Sequence, residues 1–212
     1  MEIITNTKNR LESLEDYIAQ NLDSVGGLSV EIDGVEVRVS QQWECPLDCS
    51  DYYPTFLNLL KDYEFGTREL ESKDGEILEI SDICDSLDEV EQWLEANGYF
   101  YKRVNGYAHG GLSLSLDGEG YYCKWDSGCA GYLVMRKSEL REARGVKRIT
   151  KRVIESELRL YRGLIDELNA WLEGSIFECE IDGDYIETSF SVCELAERIK
   201  AELARIQQKE IA

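Results

Sequence analysis

The sequence predicts an α+β fold: a central, mostly antiparallel sheet built from β-hairpins and flanked by helices, with further helices added at the N- and C-terminal ends. Three observations predict it. Two segments alternate apolar and polar residues on both sides of an Asp-Gly pair, a capping box opens an amphipathic helix near residue 86, and the run after Thr150 keeps one apolar face as far as Leu172.

Taken in order, Thr7 to Leu22 reads as an amphipathic helix, with Leu11, Leu14, Ile18 and Leu22 at three- and four-residue spacing and Gly26-Gly27 stopping it. Leu28–Ile32 and Val35–Val39 flank Asp33-Gly34, a pair that accepts the positive φ angles of a tight hairpin turn. The spacing from Tyr53 to Tyr63 suggests a helix opened by Pro54, and the acidic residues that follow, up to about 80, read as irregular. Ser86-Leu-Asp-Glu89 is a capping box that should start a helix running to Asn97 and closed by Gly98. That helix should turn Leu87, Val90 and Leu94 inward and display Asp88, Glu91 and Glu95 outward. Tyr99–Val104, Gly111–Leu116 and Gly131–Met135 are rich in aromatic and branched residues and read as strands. A short helix over Ser138–Arg144 ends at Gly145, and a longer one carries Ile154, Leu158, Tyr161, Ile165, Leu168 and Leu172 on one side. Ile176–Ile181 and Tyr185–Val192 flank the second pair, Asp182-Gly183, and Leu195, Ile199, Leu203 and Ile206 mark a C-terminal helix within 193–212. No Pro- or Ser-rich linker interrupts the chain, which favours a single body over 1–212.

Composition narrows the function. The chain carries 23 basic and 43 acidic residues, a net charge of −20, well beyond the roughly 2 to 8 suited to a small soluble domain. Residues 1–98 hold 24 acids against 6 bases, whereas 99–212 are nearly balanced. Within the acidic half, 62–95 reach −11, while 136–162 reach +6. Such a field repels DNA, RNA and anionic membranes and attracts basic surfaces. A second arrangement is open at this point: the two segments pack together and neutralise each other. The bases Arg141, Arg144, Lys147, Arg148, Lys151 and Arg152 open a helix, but the net charge argues against direct nucleic-acid binding. The start of the sequence lacks the layout of a signal peptide and no stretch is apolar enough to span a membrane, so a cytoplasmic location is expected, with the seven cysteines reduced and mostly buried.

Chemistry-bearing motifs are sparse. His109, the one histidine, could act as base for Cys123 or Cys129 with Asp126 orienting it, or could belong to a tight structural turn with Gly110-Gly111. Tyr107, His109, Trp125, Asp126 and Ser127 are the residues around which an enzyme or ligand site would be built. The cysteine spacings fit no zinc knuckle, the acids around Asp82 and Asp85 lack the spacing of a calcium loop, and no phosphate-binding glycine loop is present. No metal, no cofactor and no catalytic residue is therefore assigned.

Tyr107-Ala-His109-Gly-Gly-Leu-Ser-Leu-Ser, Trp125-Asp126-Ser127-Gly128-Cys129-Ala-Gly131-Tyr and Gly145-Val-Lys-Arg-Ile-Thr150-Lys resemble a family of small accessory proteins encoded by phages and integrated mobile elements, over residues of about 99 to 192. The chain departs from that family at Cys129, where Gln is usual, at Ser189–Cys193, and in the helices added at both ends. The resemblance implies a genetic setting in which accessory proteins disable host defences. Acidic members of that functional class, among anti-restriction and anti-CRISPR proteins, mimic nucleic acid. The expectation is an inhibitor whose Asp82, Asp85, Asp88, Glu91 and Glu95 enter the basic groove of a host defence nuclease or nucleoprotein. The alternative is a small enzyme or ligand-binding domain centred on His109 and Asp126.

Overall fold

A computed structural model describes residues 2–4, 14–21, 27–32, 34–42, 44–48, 54–189 and 192–211. In its first part the chain forms β1 (Glu2–Ile4), α1 (Leu14–Asn21), β2 (Leu28–Ile32), β3 (Val35–Gln41), β4 (Thr55–Asn58), β5 (Glu69–Glu71), β6 (Ile77–Glu79), α2 (Ile80–Ile83) and α3 (Leu87–Ala96). The second part adds β7 (Tyr99–Ala108), β8 (Leu112–Leu116), β9 (Ser127–Arg136), α4 (Lys137–Ala143), α5 (Lys151–Leu172), β10 (Phe177–Ile181), β11 (Asp184–Ser189) and α6 (Val192–Ile211). The α+β class is borne out. The strands, expected in one central sheet, are shared between a five-stranded sheet, a four-stranded sheet and a two-stranded ribbon. They belong to two compact units, one made of Met1–Trp43 with Glu173–Ala212 and the other of Glu44–Leu172.

In the first unit the strand order is β1-β2-β3-β10-β11, antiparallel except for β1 against β2. Both Asp-Gly hairpins of the sequence are here, side by side, because β3 pairs with β10. Asp182 (φ 54) and Gly183 (φ 83) both take the left-handed region that a primed two-residue turn requires. Val30, Ile32, Val37, Val39, Cys179 and Ile181 alternate inward and meet Leu14 and Ile18 of α1 and Leu195, Ile199 and Leu203 of α6 in one buried cluster. The expected stretches Thr7–Ser13 and Leu22–Gly26 lie outside the described residues.

The second unit is a three-layer body around the sheet β4-β9-β7-β8. One face packs on α5 through Val104, Leu112, Leu114, Leu116 and Leu133 against Tyr161, Leu164, Ile165 and Leu168. The other face, with Leu57, Tyr99, Tyr132 and Val134, is covered by Leu70 of β5, Ile80 of α2 and Val90 and Leu94 of α3. With both faces covered, β9 is buried from Ala130 through Met135.

Two expectations in this unit are corrected. Residues 55–58 form a strand and not a helix, because Thr55–Asn58 pair with Gly131–Val134 at the sheet edge, and Phe56 and Leu57 serve opposite faces. Pro54 stands just before that edge strand, where its missing N–H costs no ladder bond. The 62–80 stretch is ordered as the β5–β6 ribbon, turned at Gly75 (φ 84) with the Ser72 hydroxyl accepting from the amides of Asp74 and Glu76.

Candidate functional site

The sequence points to two places, and both lie in the second unit. The first is the acid-bearing layer of β5, β6, α2 and α3. Its helix α3 starts as expected, with the Ser86 hydroxyl accepting from the Glu89 amide at 3.3 Å, while the Glu89 carboxylate reaches the amide of Asp85 at 2.8 Å. Since Leu70, Ile80, Val90 and Leu94 face the sheet, the acids fall on the opposite side of the layer. Asp82, Asp85, Asp88 and Glu95 are exposed, as are Asp62, Glu64, Glu69, Asp74 and Glu76. None of these nine has an ion pair among the described residues.

Glu91 departs from this pattern. It was expected outward, yet its carboxylate is turned back to the sheet, accepting from Arg103 Nε at 2.9 Å, from Arg103 Nη2 at 2.5 Å and from the Tyr132 hydroxyl at 3.2 Å. A helix position one turn beyond Leu87 and beside Val90 borders the buried face, so a carboxylate there meets whatever cation the sheet presents. The hydrogen bond to Glu91 holds the Arg103 guanidinium above its usual range, and burial pushes the Tyr132 phenol up.

The basic segment 136–162 does not cancel the acidic one. Among the described residues the ion pair that joins the two segments is that of Arg136 with a Glu71 carboxylate oxygen at 3.7 Å. Its closer bonds go to the carbonyls of Glu71, Ser72 and Asn97, and its guanidinium lies over Tyr99 at 4.6 Å. Arg144 pairs with the buried Glu157, and Arg162 with Glu119. Arg141, Lys147, Arg148, Lys151 and Arg152 are exposed and have no ion pair among the described residues.

The second place is the corner where β7 turns into β8 and the 117–126 segment returns to β9. His109-Gly110-Gly111 is the β7–β8 turn, with the His109 amide donating to the Gly111 carbonyl at 3.1 Å. Asp126 is drawn in by its carbonyl, which accepts from Ala108, and its Oδ2 lies 3.5 Å from both His109 Nδ1 and Cys123 Sγ. The structure thus brings His109, Cys123 and Asp126 together, but with the carboxylate between thiol and imidazole. A nucleophilic pair needs the base in contact with the thiol, and no hydrogen bond joins Cys123 to His109 among the described residues. Cys129 is no substitute: it donates to the Gly131 carbonyl, and burial pushes its thiol pKa up. Tyr107 stacks on His109 with ring centroids 6.0 Å apart, and Ser127 Oγ accepts from the Cys123 amide at 2.9 Å.

Residues 121–125 were only partly foreseen as functional. Tyr121 and Tyr122 are each 71% exposed and Trp125 is 85% exposed. Their signal in the sequence is three large aromatics in five residues with no apolar partner at strand or helix spacing, and the motif reading takes up Trp125 while leaving Tyr121 and Tyr122 without a role.

Of the six cysteines among the described residues, Cys45 and Cys179 are buried, Cys84, Cys123 and Cys129 half-buried and Cys193 exposed. Cys49 lies outside the described residues. Among the described residues no group of His, Cys, Asp and Glu could hold a metal ion, and no helix is long and apolar enough to cross a membrane. No family model, no curated protein and no solved structure matches the chain.

Proposed function

We propose that the protein is an acidic anti-defence inhibitor, of the anti-CRISPR or anti-restriction type, acting in the host cytoplasm. It binds a host nuclease or nucleoprotein and competes with DNA or RNA for its basic groove. One observation carries this reading: nine exposed carboxylates on and around β5, β6, α2 and α3 have no ion pair among the described residues, although the same chain holds a basic segment that reaches this layer only at Glu71. Each fixed carboxylate offers an Arg or Lys of the groove the partner that a phosphate otherwise provides. Asp82, Asp85, Asp88 and Glu95 carry the contact, and Glu91 supports the helix that displays them. Nucleic acid and anionic membranes are not partners, because the same field repels them.

The test uses purified CRISPR and restriction nucleases, each loaded with a labelled duplex and challenged with the full-length chain. The expected result is displacement that weakens steeply between about 50 and 300 mM salt, since several ion pairs form at once. Changing Asp82, Asp85 and Asp88 to Asn and Glu95 to Gln should weaken displacement by about tenfold or more at low salt. Inhibition that is flat in salt, or a nuclease that holds duplex and inhibitor together, would set the reading aside.

A further inference from the structure

Exposing two tyrosines and a tryptophan within five residues leaves a large apolar area in water, which a folded protein seldom does without a partner. The segment that bears them is held in place from four points. Glu119 pairs with Arg162 Nε at 3.0 Å and with Nη2 at 2.6 Å. The Tyr121 ring meets Tyr107 edge-on at 5.2 Å, the Cys123 amide donates to Ser127 Oγ, and the Ser127 amide donates to the Cys123 carbonyl, both at 2.9 Å. A surface loop fixed in this way presents Tyr122 and Trp125 with little ordering left to do on binding.

Beside the loop runs a cleft of about 520 Å³ whose walls include Leu87 of α3, Tyr122, Asn105, Asp117 and Ser127. Leu87 sits between Ser86 and Asp88, so the cleft opens directly beside the acid-bearing helix. The one cation on its lining, Arg103, is already engaged by Glu91. What remains open is aromatic surface with carboxylates next to it, an environment that suits a guanidinium: the ring attracts it through its quadrupole and the carboxylate pairs with it. The chain already uses this chemistry at short range, with Lys124 Nζ 5.4 Å from the centre of the Trp125 ring.

We propose that the 117–127 loop is the anchor of the partner interface, and that an arginine of a basic protein surface enters the cleft between this loop and α3, stacked on Tyr122 and paired with Asp117, while Trp125 on the same loop packs against the partner surface outside the cleft. The inference rests on the acidic-inhibitor reading and adds to it the contact that fixes the partner once charge has drawn it in. Arginine is favoured over lysine because its planar fork both stacks and pairs two-pronged with a carboxylate. Nucleic acid is disfavoured at the same rings because Asp117, Glu119 and Asp126 oppose a phosphate backbone.

The experiment titrates the full-length chain with hexa-arginine and, separately, hexa-lysine at low salt, following the Trp125 indole and the Gly118 and Gly120 amides by NMR. Hexa-arginine should shift these resonances saturably and bind several-fold tighter than hexa-lysine. Changing Tyr122 and Trp125 together to Ala should weaken hexa-arginine binding, read at the glycine amides, by about tenfold, and changing both to Phe should restore it. Both rings are exposed, so an otherwise unchanged amide spectrum reports an intact fold. Unaltered binding in the Ala variant, or equal binding of the two peptides, overturns the anchor. If the variant lacking the charges of Asp82, Asp85, Asp88 and Glu95 then loses hexa-arginine while the Ala variant does not, the acidic-layer reading stands alone. The reverse pattern keeps the anchor and discards the acidic layer.

Discussion

Glu91 gives the sharpest test of how the acidic layer is held. Removing its carboxylate in Glu91→Ala strips the Arg103 guanidinium of two hydrogen bonds and leaves the hydroxyl of Tyr132, a residue with no exposed surface, without its acceptor. A hydrogen bond to a charged group contributes about 1.5–3 kcal/mol, and a buried polar group left unpaired costs about 1–3 kcal/mol. Arg103 and Glu91 keep 30% and 29% of their side-chain surface, so solvent recovers part of the first term. The working figure is a loss of about 3 kcal/mol for Glu91→Ala and more for Glu91→Lys, which places a second cation beside Arg103. Asp88→Ala, on the exposed side of the same helix, should stay within about 0.5 kcal/mol. Urea unfolding by circular dichroism and by tryptophan fluorescence measures both, and the cycle Glu91→Ala, Arg103→Ala and the double variant isolates the pair. A Glu91→Ala loss no larger than that of Asp88→Ala, or a coupling below about 0.5 kcal/mol, would show that this network does not hold α3 to the sheet. The same result bears on function, because a charge-reversal set that included Glu91 would report unfolding as lost inhibition.

Three further outcomes are expected. Gly131→Ala should cost about 3 kcal/mol or more in the same urea assay, since φ is +155° and an added Cβ falls on the Leu57 carbonyl that pairs β4 with β9. Burial pushes the Cys179 thiol up to about 12 from its ordinary 9.0, so the folded chain keeps a proton that the unfolded chain releases. Stability from this thiol is whole below pH 9 and falls as pH rises toward 12, by up to about 4 kcal/mol, and urea titrations should show that fall removed in Cys179→Ala. His109→Ala should leave duplex displacement within about twofold, because the imidazole is 72% exposed and touches no thiol; a loss of tenfold or more with the fold intact would revive the ligand-site alternative.

How much of this was legible depended on whether the signal was local. The Asp33-Gly34 and Asp182-Gly183 hairpins and the Ser86 capping box were readable because each is decided by a few adjacent residues. That β3 would pair with β10 was not, since nothing in either strand's alternation names a partner so far along the chain. Thr55–Asn58 was read as a helix because four apolar-rich residues after a proline suit either state, and only the edge of β9 decides between them. Asp74-Gly75 carried the same turn signal as the other two pairs, but the charged residues around it hid strands of only three residues each. At the candidate site, the convergence of Tyr107, His109, Asp126 and Ser127 was foreseen as a motif, whereas the inward turn of Glu91 was not, because a helical wheel places it at the border and Arg103 settles the matter from the sheet.

The division of the chain has a consequence for its birth on the ribosome. The 44–172 unit is one uninterrupted stretch, while β2 and β3 are made well before β10 and α6, which complete the cover of their apolar sides. During that interval the β3 edge that bears Val37 and Val39 is open to mispairing, and the speed of translation through the stretch between β3 and β10 sets how long the nascent chain stays at risk.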